Sequence, residues 1–374
     1  MTRALRWKPI ALQVALLALV AGLVWLAADT ALGNMRARGL ASGFAFLHRP
    51  AGFDIAQTLI PYAPTDPHTR VFLVGALNTL AVAGAGIVLA TLVGLIAGLG
   101  RRARSVAVRT VATGYVEAAR NTPLPIQLLV WYSLVTAAPP PRAAISLGGF
   151  GYLSNRGLYL PAPVWEIPAA AAMLGLTAIA AAAIWAWFAL RRRRGAVPAV
   201  AAPVAGAAAA ALFLAAFVSG ISLPRPEGFG FAGGFEVSPP LFTLLVALTV
   251  YTGGYIAEVV RGGLDAVGAG QSEAARALGL SDAQAFRLVA LPQAWRIMAP
   301  PLVSQYLNLL KNSSLAVVVG YPDLVATFGG TSLNQTGQAI ETLGLVLLFY
   351  VALSVSLSAA VNIWSRRQGR WASR

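Results

Sequence analysis

Three polar runs interrupt otherwise apolar sequence, and they are where this chain could do chemistry. In the first, Glu273-Ala274-Ala275-Arg276-Ala277-Leu278-Gly279 is followed after nine residues by Val289-Ala290-Leu291-Pro292. One carboxylate on a rod of small side chains, with a glycine turn behind it, suits being gripped by another surface. The second, Lys311-Asn312-Ser313-Ser314, offers a cation, an amide and two hydroxyls, groups able to receive a carboxylate and an ammonium. Four consecutive polar residues cannot all face one neighbour on a helix, so a broken or cavity-lining helix is expected there. The third is Asn121 and Thr122 with Gln127, beside Pro123 and Pro125. For the second and third runs, pathway lining and helix-packing hydrogen bonds are both open. Glu258 and Arg261 stand at i and i+3, where a local ion pair and direct contact with a solute are the two readings.

Bond-making chemistry finds little to build on. There is no cysteine, hence no thiol nucleophile, disulfide or cysteine-ligated metal. The two histidines, His48 and His68, lack metal-ligand spacing and read as surface residues of loops, so no metal site is expected. No Gly-x-Ser-x-Gly elbow or His-Glu zinc pattern occurs. Lys8 and Lys311 are the only lysines and neither follows a glycine, so the chain lacks a Gly-Lys-Ser/Thr phosphate loop. No cofactor is expected on it, and ATP-driven work would need a partner that hydrolyses the nucleotide.

The elements that must position these runs are membrane spans. With 57% hydrophobic and 11% charged residues over 374, the chain has too much apolar surface for an aqueous fold. The expected class is all-α and polytopic, set in a lipid bilayer. A span needs roughly 20 apolar residues, and eight runs are candidates: 10–30, 71–99, 116–138, 167–190, 198–220, 240–260, 299–320 and 339–364, of which 116–138 and 299–320 are compromised by polar residues. The net charge of +15 gathers at the ends of these runs, where it meets anionic headgroups, so nucleic acid is not the expected partner. With the N-terminus inside, nineteen basic residues fall on the cytoplasmic side and seven outside, which predicts cytoplasmic N- and C-termini. The organisation reads as 1–70, an anchor helix and external loop; 71–138, the first part of a core; 139–239, inserted external segments and two Ala-rich helices; and 240–374, the second part, carrying the cytoplasmic loop 261–298. The external loops 31–70, 139–166 and 221–239 read as turns and short interfacial packing.

Within 261–298, Ser272 is expected to cap a short helix placing Ala274, Ala275 and Leu278 on one face, with Gly279 in the left-handed position that ends it. Ser281 with Gln284 predicts a capping box opening a second helix, which must stop near Pro292. An amphipathic loop lying on headgroups is the alternative.

The spacing Glu-Ala-Ala, three residues, Gly, nine residues, an aliphatic, one residue, Leu-Pro resembles the EAA loop of ABC importer permeases. It matches at Glu273, Ala274, Ala275, Gly279, Leu291 and Pro292, with Val289 for the commoner isoleucine. Tyr115 to Leu124, Tyr255 to Gly263 and Lys311 to Leu315 are similar to segments of the polar amino-acid subfamily, and the resemblance covers 71–138 and 240–364. The long external loop and the helices at 167–220 look like the broad-specificity L-amino-acid permeases. The resemblance implies a type I importer core with extra helices in the cytoplasmic (inner) membrane, moving L-amino acids inward. It implies coupling of Glu273 to Pro292 to ATP-binding cassette subunits, a second, nonidentical permease chain, and a periplasmic or extracellular amino-acid-binding protein. Two other classes remain to compare: an ion-gradient-driven secondary amino-acid transporter, which needs acidic sites deep in its spans, and a membrane-embedded enzyme.

Overall fold

The computed structural model describes residues 7–37, 43–167, 171–172, 175–180, 182–183, 186 and 201–369. Its first helix, α1 (Trp7–Ala37), presents Leu12, Leu16, Leu19 and Leu23 outward, the pattern of a helix solvated by lipid. The centre is a pair, α2 (His68–Gly100) and α6 (Pro239–Asp265), each long and apolar enough to cross a membrane. Gly86 faces Leu248, Gly94 faces Gly253 and Gly98 faces Ala257, so the two helices run side by side in the same direction. A Cβ on Gly98 would lie 2.8 Å from the Ala257 carbonyl oxygen, an approach that only glycine permits.

The expected span 116–138 is two helices. α3 (Val106–Asn121) returns antiparallel to α2, setting Ala112 at Gly100 and Val116 against Ala97 and Ala257. Thr122 is extended ahead of Pro123, and α4 (Leu124–Thr136) resumes with Leu124 and Leu128 in the core beside Leu244 and Leu248. A residue before proline is pushed out of the helical region, which places the break there.

The segment from Phe44 packs Phe46, Ala51 and Ile55 onto Val71, Val74, Leu324 and Phe328, closing the His68 end of α2. At the same end lie eight short strands: β1 (Ile145–Ser146), β2 (Tyr152–Ser154), β3 (Gly157–Leu160), β4 (Ala162–Trp165), β5 (Val218–Ser222), β6 (Arg225–Glu227), β7 (Gly230–Ala232) and β8 (Phe235–Val237). They form an antiparallel sheet ordered β1-β2-β3-β8 and two hairpins, β4-β5 and β6-β7, with Leu158 paired to Val237. Composition predicted turns here. Strands of two to five residues carry too little alternation to be seen in sequence, and the β3–β8 pairing joins segments about 80 residues apart.

Of the two extra helices, the expected span 167–190 has helical residues only at scattered described positions, and Arg191 to Arg194 lie outside the described residues. The other is α5 (Ala201–Phe217). After α6 come α7 (Ala269–Ala277), a turn, the long helix α8 (Leu291–Asn312) and α9 (Ala339–Gly369).

Candidate functional site

The loop between α6 and α8 is built from local signals. α7 begins behind Gly268, one turn before the expected cap, so Ser272 sits inside the helix and caps nothing. Its end is a Schellman turn: Gly279, at φ +83°, donates its N–H to Arg276 O (2.9 Å), and Leu280 donates to Ala275 O (3.2 Å). Ala275 is buried against the protein, whereas Glu273, Ala274 and Leu278 are exposed, Leu278 to 83%. The three apolar residues therefore do not share one face; Ala275 anchors the rod and the other two present it.

Ser281 forms the expected capping box, its Oγ accepting from Gln284 N (3.3 Å) while its own N–H donates to Gln284 Oε1 (2.9 Å). The helix it opens does not stop at Pro292. A π-helical stretch, Ala285–Ala290, shifts the hydrogen-bond register, and Pro292 falls in the first turn of α8, where its missing N–H is no loss. The second rod is thus the start of a span, with Leu288 and Leu291 exposed on it. Gln293 Nε2 donates to Gln271 Oε1 (3.2 Å), and Arg276 pairs with Asp282 (3.4 Å), holding the rods together.

The other two polar runs sit at helix breaks that adjoin in space, because α4 packs against the 3₁₀ segment Ser313–Val319. Gln127 is buried, and its amide donates to Ala119 O (2.9 Å) and Thr122 O (3.0 Å), carbonyls left free where α3 ends. Asn121 is exposed at that break and Thr122 is half-buried. Ser313 and Ser314 turn their hydroxyls onto Leu310 O and Lys311 O, both at 2.7 Å, and Asn312 is half-buried. Ser304, Asn308 and Lys311 form an exposed polar stripe along α8, and among the described residues nothing pairs with the Lys311 ammonium.

Glu258 is the centre of an ionic cluster at the Gly100 end of α2. Its carboxylate takes Arg101, Arg261 and, at 3.6 Å, Arg120, whose guanidinium also lies 5.3 Å over the Tyr255 ring. Arg261 continues to Asp265 (2.8 Å), and Asp265 to Arg102 (3.1 Å). The i, i+3 pair is present, but Arg101 reaches Glu258 from 157 positions away in sequence and Arg102 reaches Asp265 from 163, across an interface no motif marks.

Sequence reasoning also passed over a buried polar group at the other end. Asn78 donates to Gln57 O and Pro322 O (both 2.8 Å), Thr79 Oγ1 accepts from Leu324 N (3.1 Å), and Asp323 Oδ1 accepts from Ala326 N (2.8 Å). Asp323 Oδ2 and the Tyr350 hydroxyl are buried beside each other. An Asn-Thr pair inside an apolar span was the available signal. His68, expected at the surface, is buried, with Nδ1 2.9 Å from Ser332 Oγ and its ring against Phe46 and Phe53.

Comparison with known proteins places this chain among components of transport systems. The family described as "Binding-protein-dependent transport system inner membrane component" matches residues 196–373. The chain is 41% identical to YhdX of Escherichia coli K12, over 95% of this chain and 92% of that one. It is 40% identical to the general L-amino acid transport system permease protein AapQ of Rhizobium johnstonii, over 96% of this chain and 91% of that one. It is 37% identical to the glutamate/glutamine/aspartate/asparagine transport system permease protein BztB of Rhodobacter capsulatus, over 96% and 93%.

Proposed function

The chain belongs to the family of inner-membrane components of binding-protein-dependent transport systems, and we propose that it is the permease subunit of an ATP-driven importer of L-amino acids. It is a multi-pass inner-membrane protein and a transport component. In this reading the arginine-rich end faces the cytoplasm, which is the side nineteen basic residues favour.

The observation that carries the proposal is the form of the α7 rod. Glu273, Ala274 and Leu278 stand exposed on a helix held from behind by Ala275 and closed by the Gly279 turn. An 83%-exposed leucine between two polar turns, in a chain without a phosphate loop, is fitted to a groove on a separate ATP-binding subunit. The π stretch makes the second half of that loop continuous with α8. A push on the loop therefore reaches the span that carries Lys311.

The cargo route follows from the stripe on α8. A polar row in a span is costly against lipid, so Ser304, Asn308 and Lys311 face an aqueous path between this chain and a second permease chain. The Lys311 ammonium receives the amino acid's carboxylate, with Asn121 and Thr122 at the neighbouring break and Asn312 and Ser314 completing the polar wall. A soluble binding protein delivers the amino acid at the end carrying the strands, and closure of the ATP-binding subunits alternates access. The test is purification of the complex through this chain from its native membrane, followed by ATP hydrolysis in liposomes. A nucleotide-binding subunit that co-purifies and hydrolyses ATP upon amino-acid uptake supports the proposal. Uptake that ignores ATP depletion and stops when an ion gradient is collapsed overturns it.

A further inference from the structure

We infer that Glu258 and Asp265 are positioning residues for the coupling of ATP hydrolysis to transport, acting through the arginines that join the base of the loop to α2 and α3. The inference rests on the proposed docking of α7 to an ATP-binding subunit. Asp265 is the last residue of α6, and only Ala266, Val267 and Gly268 separate it from α7. A displacement of the rod meets Asp265 first.

From Asp265 the ionic contacts are continuous. They pass to Arg102 beyond the end of α2 (3.1 Å) and to Arg261 (2.8 Å), from Arg261 to Glu258, and from Glu258 to Arg101 and to Arg120 on α3 (3.6 Å). α3 leads through the Thr122–Pro123 break into α4, which packs on the segment following Lys311. The chain of contacts thus joins the docking loop to both polar breaks.

Charge count separates this device from a static clamp. Four guanidinium groups share two carboxylates, so each carboxylate holds arginines that would otherwise repel. Arg101 is only 16% exposed and Glu258 29%, where a lost partner is poorly replaced by water. In the inferred device a movement of Asp265 opens this arrangement and so passes the state of the loop to α2 and α3. Gly94 and Gly98 on α2 and Gly253 and Gly254 on α6 bring α2, α6 and α3 into close contact beside it, so a shift of one helix is felt by the others.

The test uses the assembled transporter in liposomes with Glu258→Gln, with the more exposed Asp265→Asn, and with the exchanged pair Arg102→Asp/Asp265→Arg. The readouts are co-purification of the ATP-binding subunit and the number of ATP molecules hydrolysed per amino acid imported. The expected result is normal co-purification, at least about a 5-fold rise in ATP per amino acid in both single variants, and partial recovery in the exchanged pair. An unchanged ratio in both single variants overturns the inference, as does loss of the ATP-binding subunit from both, which would make the cluster merely structural. If the unaltered chain retains no ATP-binding subunit, it is the proposed function that fails.

Discussion

Leu280 donates its backbone N–H to the carbonyl of Ala275 at 3.2 Å, closing the α7 rod across the left-handed Gly279. One hydrogen bond thereby fixes how Glu273, Ala274 and Leu278 are displayed, because the next helix leaves from Ser281 immediately behind it. The geometry of the proposed docking surface is a property of that turn.

Gly279→Ala forces an L side chain into φ +83°, at a cost of about 1–2 kcal/mol. Space is open around it, so the strain is purely conformational. Membrane insertion should be unchanged, and retention of the ATP-binding subunit through purification should fall. Quantifying that subunit in the purified complex checks it.

Gly98→Val should destabilise the α2–α6 pair by about 1–3 kcal/mol, since even the first carbon would press on Ala257 O and Val260. Gly84→Ala, on the same helix with nothing within 4 Å, should not destabilise it. Thermal unfolding of the two variants in detergent separates close packing from a general intolerance of α2.

Gln127→Leu removes the donor that serves Ala119 O and Thr122 O. The same side chain has a buried Oε1 without a partner, which the substitution also removes. The two effects partly offset, leaving a net loss of about 1 kcal/mol. A melting curve shows it, and uptake rates show whether the α3–α4 break must stay rigid.

Lys311→Met should raise the uptake KM about 10- to 100-fold, the equivalent of one charge-assisted hydrogen bond to a carboxylate. Lys311→Arg should retain most of the affinity. Amino-acid analogues whose carboxylate is replaced by an amide should lose the distinction between the unaltered chain and Lys311→Met. Direct binding or uptake titrations in liposomes read all three.

What could be read in sequence was what local chemistry decides. Gly279 and the Ser281–Gln284 box specify their turn within a few residues, and Pro123 marks a helix break wherever the rest of the chain goes. Pro292 misled because it falls in the first turn of α8, behind the π stretch, where its missing N–H is no loss and the helix runs on through it. Ser272 misled because Gly268 starts the helix without a side-chain cap. The partners of Glu258 and Asp265 were out of reach: Arg101 meets Glu258 and Arg102 meets Asp265 only because glycines bring α2 and α6 together, and that pairing carries no signal in one sequence. The buried His68 and the strand pairings belong to the same class, being contacts made by topology.

The central claim is that the Glu273-to-Pro292 loop transmits ATP hydrolysis to the spans. The most direct measurement is simultaneous ATP hydrolysis and amino-acid uptake in liposomes carrying the complex with Glu273→Arg or with Gly279→Pro. The expected result is correct insertion and continuing hydrolysis by the ATP-binding subunit that stays bound, with uptake per ATP reduced to near background in both. Normal coupled uptake in both variants would contradict the role given to this loop.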